Sequence, residues 1–359
     1  MKFSRLFLSC VVMTGAYSTF VLAKDDVSAE NVNMTTKDWP ARPRLAVQEM
    51  MGKYGEPVEV SSESVVWHNE GAYKRIMVTK KEIPHDFPKP HMDFLEHTIL
   101  YNVPTDKIDD LVAYDASMTI NKTAGEMSAR CDLEGHNILT LNLAKDIITG
   151  KTNVAGARKS FGENVVADVA GKHPEYVEKL VFEPHTMEKA AFADKPVIPG
   201  SPIRTVASEN QAMNDAEVLA FVIATDDNEV LAAAEAQKKD ISKEVKDYAK
   251  MLQTEHSKNQ STVMGLGQKI KVTPSDTKAV DDMRVKGASE LAMLVPLKGK
   301  EFEKAYMSAM IKGHKEVLAM IDNKLLPAAK NDDLKEQLMD TKKHVSMHLD
   351  QATKIQENM

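Results

Sequence analysis

Cysteine is nearly absent: 359 residues contain only Cys10 and Cys131. Cys10 lies in an N-terminal apolar run expected to be removed, which leaves one thiol and no internal disulfide, even in an oxidising compartment. Stability must therefore come from packing. A 43% hydrophobic content over this length is enough for two ordinary domains. Cys131 reads either as a small buried apolar residue or as a reactive thiol. Positive charge is also in deficit. The formal net charge is −7, which argues against a nucleic-acid partner, since phosphate binding needs clustered Lys and Arg. Beyond residue 23 no stretch approaches the ~20 apolar residues of a membrane helix. The chain has no nucleophile elbow, phosphate loop, dinucleotide fingerprint or fixed-period repeat.

What the chain does have begins at its first residues. Lys2 and Arg5 precede an apolar run from Leu6 to Ala23 that ends in Val21-Leu22-Ala23 before Lys24. A basic start, an apolar middle and a small-residue end predict a signal peptide over 1–23, cut near Ala23, and hence a periplasmic or secreted protein. An uncleaved anchor is the alternative, but Thr14, Gly15, Ser18 and Thr19 make a poor membrane span. A lipoprotein cut at Cys10 would leave only a few apolar residues before the cleavage site. Cleavage removes two positive charges and no acid, which turns −7 into −9.

Residues 24–36 are polar and aperiodic and predict a flexible leader. From 37 to 190 the pattern is mixed. Val58–Val60, Ser64–Trp67 and Tyr73–Ile83 predict strands, while Asn137–Ile148 and Ala155–Ala170 predict helices, giving an α+β domain. Pro196, Pro199, Gly200 and Pro202 mark a linker over 191–213. From there the pattern is helical, with helices near 215–238, 241–267, 276–294, 300–325 and 331–357, and Ser275 and Asp332 as caps. Four long helices with short connections predict an all-α, up-and-down four-helix bundle over 214–357.

Three histidines occupy positions where packed helices normally carry aliphatic residues. His348 lies within the stripe Leu334, Leu338, Thr341, Val345, His348, Ala352, Ile355, whose steps of three and four keep one helix face. His256 continues Val245, Ala249 and Leu252, and His314 sits among Met307, Met310, Val317 and Ile321. A buried imidazole needs partners for its nitrogens, so three helices offering one each predict a shared polar site. Seven of the eleven histidines precede the linker. The segment 84–97 holds His85, His91 and His97 with Asp86, Asp93 and Glu96. Its prolines, Pro84, Pro88 and Pro90, predict a stiff extended loop that either binds a metal or ligand or simply exposes histidines. Alternation over 126–132 predicts a strand with Glu126, Arg130 and Asp132 on one face, as a binding patch or a solvated surface.

The helical half resembles a family of exported, ferritin-like bacterial proteins described only as domain of unknown function 4142. The resemblance is carried by Asn228-Glu229-Val230, VKDYAKMLQTEHSKNQ (245–260), GKEFEKAYMSAMIKGHKEVL (299–318) and TKKHVSMHL (341–349). It covers about residues 213–357 and implies an exported ferritin-like bundle with recurrent polar positions at Glu229, His256, His314 and His348. Ferritin-like folds invite a di-iron reading, yet such sites use paired Glu-x-x-His motifs. Three residues before the histidines stand Gln253, Ile311 and Val345, so di-iron is disfavoured. The residues fit one Zn, Cu, Fe or Mn ion, held by up to three imidazoles with Glu229 or Glu255 nearby. The alternative is a hydrogen-bonded network that fixes helix register. Met307, Met310, Met320 and Met347 offer soft thioethers for copper, or act as flexible core filler. His344 reads as a flanking surface residue. Three functional classes follow. The protein is a cell-envelope binder of a metal or small ligand, an enzyme working at the N-terminal histidines, or a structural partner of another envelope protein.

Overall fold

The computed structural model describes residues 28–205 and 213–359, which divide between Asp194 and Lys195 into two units. That boundary falls inside the segment expected to be a linker. The segment expected to be a signal peptide, residues 24–27 of the expected leader and residues 206–212 of the expected linker lie outside the described residues.

The first unit opens with helices α1 (Ala29–Thr36) and α2 (Ala41–Tyr54). The first corrects the expected leader: Ser28 caps it by accepting the Asn31 N–H, and Val32 and Thr36 are buried. Two buried residues in a polar octapeptide are too few to register as periodicity. Strands β1 (Glu59–Val60), β2 (Ser64–Glu70), β3 (Tyr73–His85) and β4 (His91–Leu100) follow. Then come α3 (Ile108–Tyr114), β5 (Thr119–Asn121), β6 (Glu126–Cys131), α4 (Glu134–Ile148) and α5 (Val154–Val169). Two short helices, α6 (Glu175–Glu178) and α7 (Met187–Ala190), complete the unit. The strands form one antiparallel sheet in the order β1-β2-β3-β4-β6-β5.

Residues directly opposite each other share a sheet face. The register therefore sets Val65, Val78, Leu95 and Cys131 in one row, and Trp67, Ile76, His97 and Ala129 in the next, all of them buried. On the other face Arg75 pairs with Glu126 at 3.3 Å and Arg130 with Glu96 at 3.2 Å. This bears out the strand expected at 126–132, but Asp132 leaves its face because the strand ends at Cys131. The proline-rich loop also shrinks. Pro84 pairs with Met92 and His85 with His91, so only residues 86–90 turn and His91–His97 run along a strand. Proline sits near the hairpin end, beyond a register irregularity between Val78 and Ile83, where a missing donor costs little.

Among its described residues, the regular structure of the second unit is helical apart from the small pair β7 (Ile203–Arg204) and β8 (Ser275–Asp276). Its helices are α8 (Asp215–Lys238), α9 (Lys243–Lys269), α10 (Lys278–Leu294), α11 (Gly299–Met320), the short α12 (Leu326–Ala328) and α13 (Asp332–Glu357). The expected caps move by one or two residues. Thr277 caps α10, while Ser275 sits in β8, and Asn331 caps α13 ahead of Asp332. On α13 the buried residues are the seven of the predicted stripe, His348 included. Among the described residues no helix is long and apolar enough to cross a membrane.

Gly125, ahead of β6, has φ +66°, and a methyl group there would stand 2.4 Å from the carbonyl carbon of Ala190. Backbone cannot yield as a flexible side chain can. Gly125→Ala is expected to destabilise this unit by about 2–4 kcal/mol, from left-handed strain plus overpacking. Gly150→Ala, at φ +75° but in open space, should cost only about 1 kcal/mol. Urea unfolding of the two variants reads the difference, and equal midpoints would refute the packing argument.

Candidate metal centre in the helical unit

A polar layer interrupts the helical core. One apolar cluster gathers Val218–Ala224, Val263, Ile321, Leu334 and Leu338, and a second gathers Ala233, Leu252, Phe302, Met307, Ala352 and Ile355. Between them, in sequence along the helices, lie Asp226 and Glu229 on α8, His256 on α9, His314 on α11 and His348 on α13. All five are buried. The helical spacing that continues each apolar stripe is what turns these side chains inward.

The three imidazoles meet. Ring centroids are 5.1 Å apart for His256 and His348, 5.5 Å for His314 and His348, and 6.0 Å for His256 and His314. One ring nitrogen from each lies within 4.8 Å of the others. Each ring is held from behind through its other nitrogen. His314 Nδ1 lies 2.7 Å from the Met310 carbonyl oxygen, which can only accept, so Nδ1 carries the proton and Nε2 a lone pair. His256 Nδ1 is 2.8 Å from Asp226 Oδ1, and His348 Nε2 is 2.7 Å from Glu255 Oε2. The remaining nitrogens, His256 Nε2, His314 Nε2 and His348 Nδ1, are buried with no hydrogen-bond partner. Glu229 Oε2 is buried and unpartnered as well, although its carboxylate lies outside the 4.8 Å set.

Burial governs the protonation of this layer. It pushes His256 down to about 4 against the upward pull of Glu229, and it pushes His348 down to about 4 against its hydrogen bond to Glu255. The same burial raises the Asp226 carboxyl well above the usual range, opposed by the Asn259 hydrogen bond. Tyr248 and Tyr306 are pushed up by burial and by Glu229, and the Tyr306 hydroxyl is unpartnered. At neutral pH His256 and His348 are therefore uncharged, the form that donates a lone pair.

The layer is accessible from one side. A cavity of about 370 Å³ between α9 and α13 reaches His256 and His348, with Glu255, Asn259, Thr341 and His344 on its wall. His344 is half-exposed at this wall and bonds the Asp340 carbonyl of its own helix. It does not belong to the converging set. Asp226 escaped the sequence reading altogether. Its signal was available: three residues before Glu229, it shares that residue's helix face. The N-terminal histidines separate. His85 and His91 come together with ring centroids 5.0 Å apart. His97 does not join them; it packs edge-on to Tyr73 and lies 3.1 Å from Asn137 Nδ2.

The metal-free protein should lose stability with acid. An unfolded chain with ordinary histidines binds protons as pH falls from 6.5 towards 4, and the folded protein, with His256 and His348 near 4, does not. Stability associated with each ring is complete above 6.5 and declines below it, by up to about 1.4 kcal/mol per pH unit per histidine. Denaturant titrations of wild type and His348→Gln across that window measure one ring's share. The stability difference, wild type minus variant, should shrink as pH falls, and a constant difference would contradict a depressed His348.

No curated protein and no solved structure matches this chain. Its C-terminal half, residues 201–355 and with them Asp226, Glu229 and all three converging histidines, matches the family model described as Domain of unknown function (DUF4142).

Proposed function

We propose that the helical unit is a ferritin-like four-helix bundle that binds a single transition-metal ion through His256, His314 and His348. The observation that carries this reading is the set of three buried, unpartnered ring nitrogens on three helices, each ring fixed through its opposite nitrogen. A hydrogen-bonded network would use those nitrogens among themselves. Here every one is left over, at a cost of about 1–3 kcal/mol each unless something binds it. Nitrogens held at ~2.0–2.2 Å from one ion lie at most about 4.4 Å apart, so the set closes on an ion with sub-ångström side-chain movement. Asp226, Glu255 and the Met310 carbonyl play the orienting part that outer carboxylates and carbonyls take behind histidine ligands. Glu229 supplies charge nearby, and the cavity at His348 leaves room for water or a small ligand beside the ion. Three imidazoles suit zinc, copper, iron or manganese, and the absent Glu-x-x-His pairs speak for one ion and against two.

Elemental analysis of protein purified without chelator should show about one metal equivalent per chain that the His256→Ala/His314→Ala double variant lacks, and the apoprotein should take up one equivalent of Zn²⁺ or Co²⁺ at this site. His256→Ala or His314→Ala should weaken that uptake at least 100-fold, and Asp226→Asn by about 10–100-fold. A bundle that binds no ion, and whose thermal stability falls equally in all three variants with and without metal, would identify a structural network and overturn the reading.

We also propose that the chain is exported and acts in the cell envelope, on the strength of the basic, apolar and small-residue pattern of residues 1–23. Intact-mass measurement on protein from the envelope fraction should give a mature chain beginning at Lys24. An uncut chain recovered from the cytoplasm would overturn it.

A further inference from the structure

The first unit holds a second group of ligand-type side chains. Around Cys131, which is 4% exposed, four elements contribute: His85 from the end of β3, His91 and Asp93 from β4, Asp132 just past β6, and His136 from α4. Cys131 Sγ lies 3.3 Å from His91 Nε2, 3.3 Å from Asp132 Oδ1 and 3.7 Å from His136 Nδ1. His91 Nε2 is 3.0 Å from Asp93 Oδ1, and His85 Nδ1 is 3.2 Å from Asp93 Oδ2. One ligand atom each of His91, Cys131 and Asp132 lies within 4.8 Å of the others, and so does one each of His85, His91 and Asp93. His91 belongs to both sets.

Hydrogen bonds to His91, Asp132 and His136 account for the thiol, but not for the whole group. Asp93 is 4% exposed, and its Oδ1 has no hydrogen bond despite the nearby imidazole; His85 Nδ1 is likewise close to Asp93 but out of line. A nucleophilic thiol does not fit either, because Cys131 and the His91 side chain, 7% exposed, are shut away from any sizeable substrate. A bare ion is small enough to enter. Sulfur and nitrogen in a tetrahedral shell around one ion stand about 3.5 Å apart, close to the observed separation of Cys131 and His91.

We propose that the N-terminal unit binds one zinc-class divalent ion through Cys131 Sγ, His91 Nε2 and the Asp132 carboxylate, with Asp93 or His136 as the fourth ligand. The thiol releases its proton to solvent as the metal–sulfur bond forms. His97 takes no part. This thiolate site is separate from the all-nitrogen set of the helical unit and stands whether or not that set binds metal.

The test uses the full mature chain loaded with Co²⁺, because a cobalt–thiolate bond gives a near-ultraviolet charge-transfer band that nitrogen and oxygen ligands lack. The band should appear in wild type and persist in the His256→Ala/His314→Ala double variant. It should vanish in Cys131→Ser and fall sharply in His91→Ala. Since a ligand variant may fail to fold, X-ray absorption on the unaltered Zn²⁺-loaded protein provides an independent reading. It should contain a Zn–S distance of ~2.3 Å. Absence of both the cobalt band and any metal–sulfur distance in metal-loaded wild type overturns the proposal. So does loss of the band in the double variant with Cys131→Ser unchanged.

Discussion

The helical unit is organised around the cost of burying imidazoles. His256, His314 and His348 interrupt the apolar stripes of α9, α11 and α13, and the core divides into one apolar cluster on each side of them. An unsatisfied polar group in such surroundings costs more than any one packing contact gains. Asp226, Glu255 and the Met310 carbonyl meet that demand for one nitrogen of each ring. The other nitrogen of each remains unpartnered. Satisfying half of each ring fixes its orientation and tautomer, and the free halves then face a common space. The proposed ion follows from this division.

The two units solve the same problem with different chemistry. In the helical unit the proposed ligand set is nitrogen with acids and a carbonyl behind it, and burial keeps His256 and His348 neutral. In the first unit the group at Cys131 mixes sulfur, nitrogen and carboxylate oxygen at the ends of strands β3, β4 and β6. Sheet and helix also differ in how they assemble such sites. Helical periodicity lines up residues three and four apart on one element. Antiparallel register brings together residues far apart in the chain, as in the row that aligns Cys131 with Leu95 and Val78.

That difference explains what was legible. The helical site could be read because each histidine announced itself within its own helix, as a polar residue in an apolar stripe, and the buried residues of α13 are those of its stripe. The strands and helices that alternation and periodicity did predict fall within a few residues of their expected places, whereas α2, β4 and β5 had no predicted counterpart. Asp226 was missed because an acid on a helix facing inward looks like any other acid until its partner is known. The stripe on α8 is broad and apolar from Val218 to Ala224, and that run conceals the change of character at Asp226. The N-terminal loop was misread for a related reason. Proline spacing excludes helix, but it does not say that Pro84 and Met92 will pair across a hairpin.

By itself, then, the sequence determined the class of each half, the helix faces, and the identity of the three helical histidines, since these depend on local periodicity alone. It also determined a net negative charge that does not favour nucleic acid. Only the tertiary structure decided which groups meet. It brought His85 to His91 and left His97 with Asn137 and Tyr73. It set Cys131 among His91, Asp132 and His136, and it gave each helical histidine an acceptor behind its ring. These outcomes depend on strand register and helix packing, which join positions up to about a hundred residues apart, and no local pattern in the chain encodes that distance.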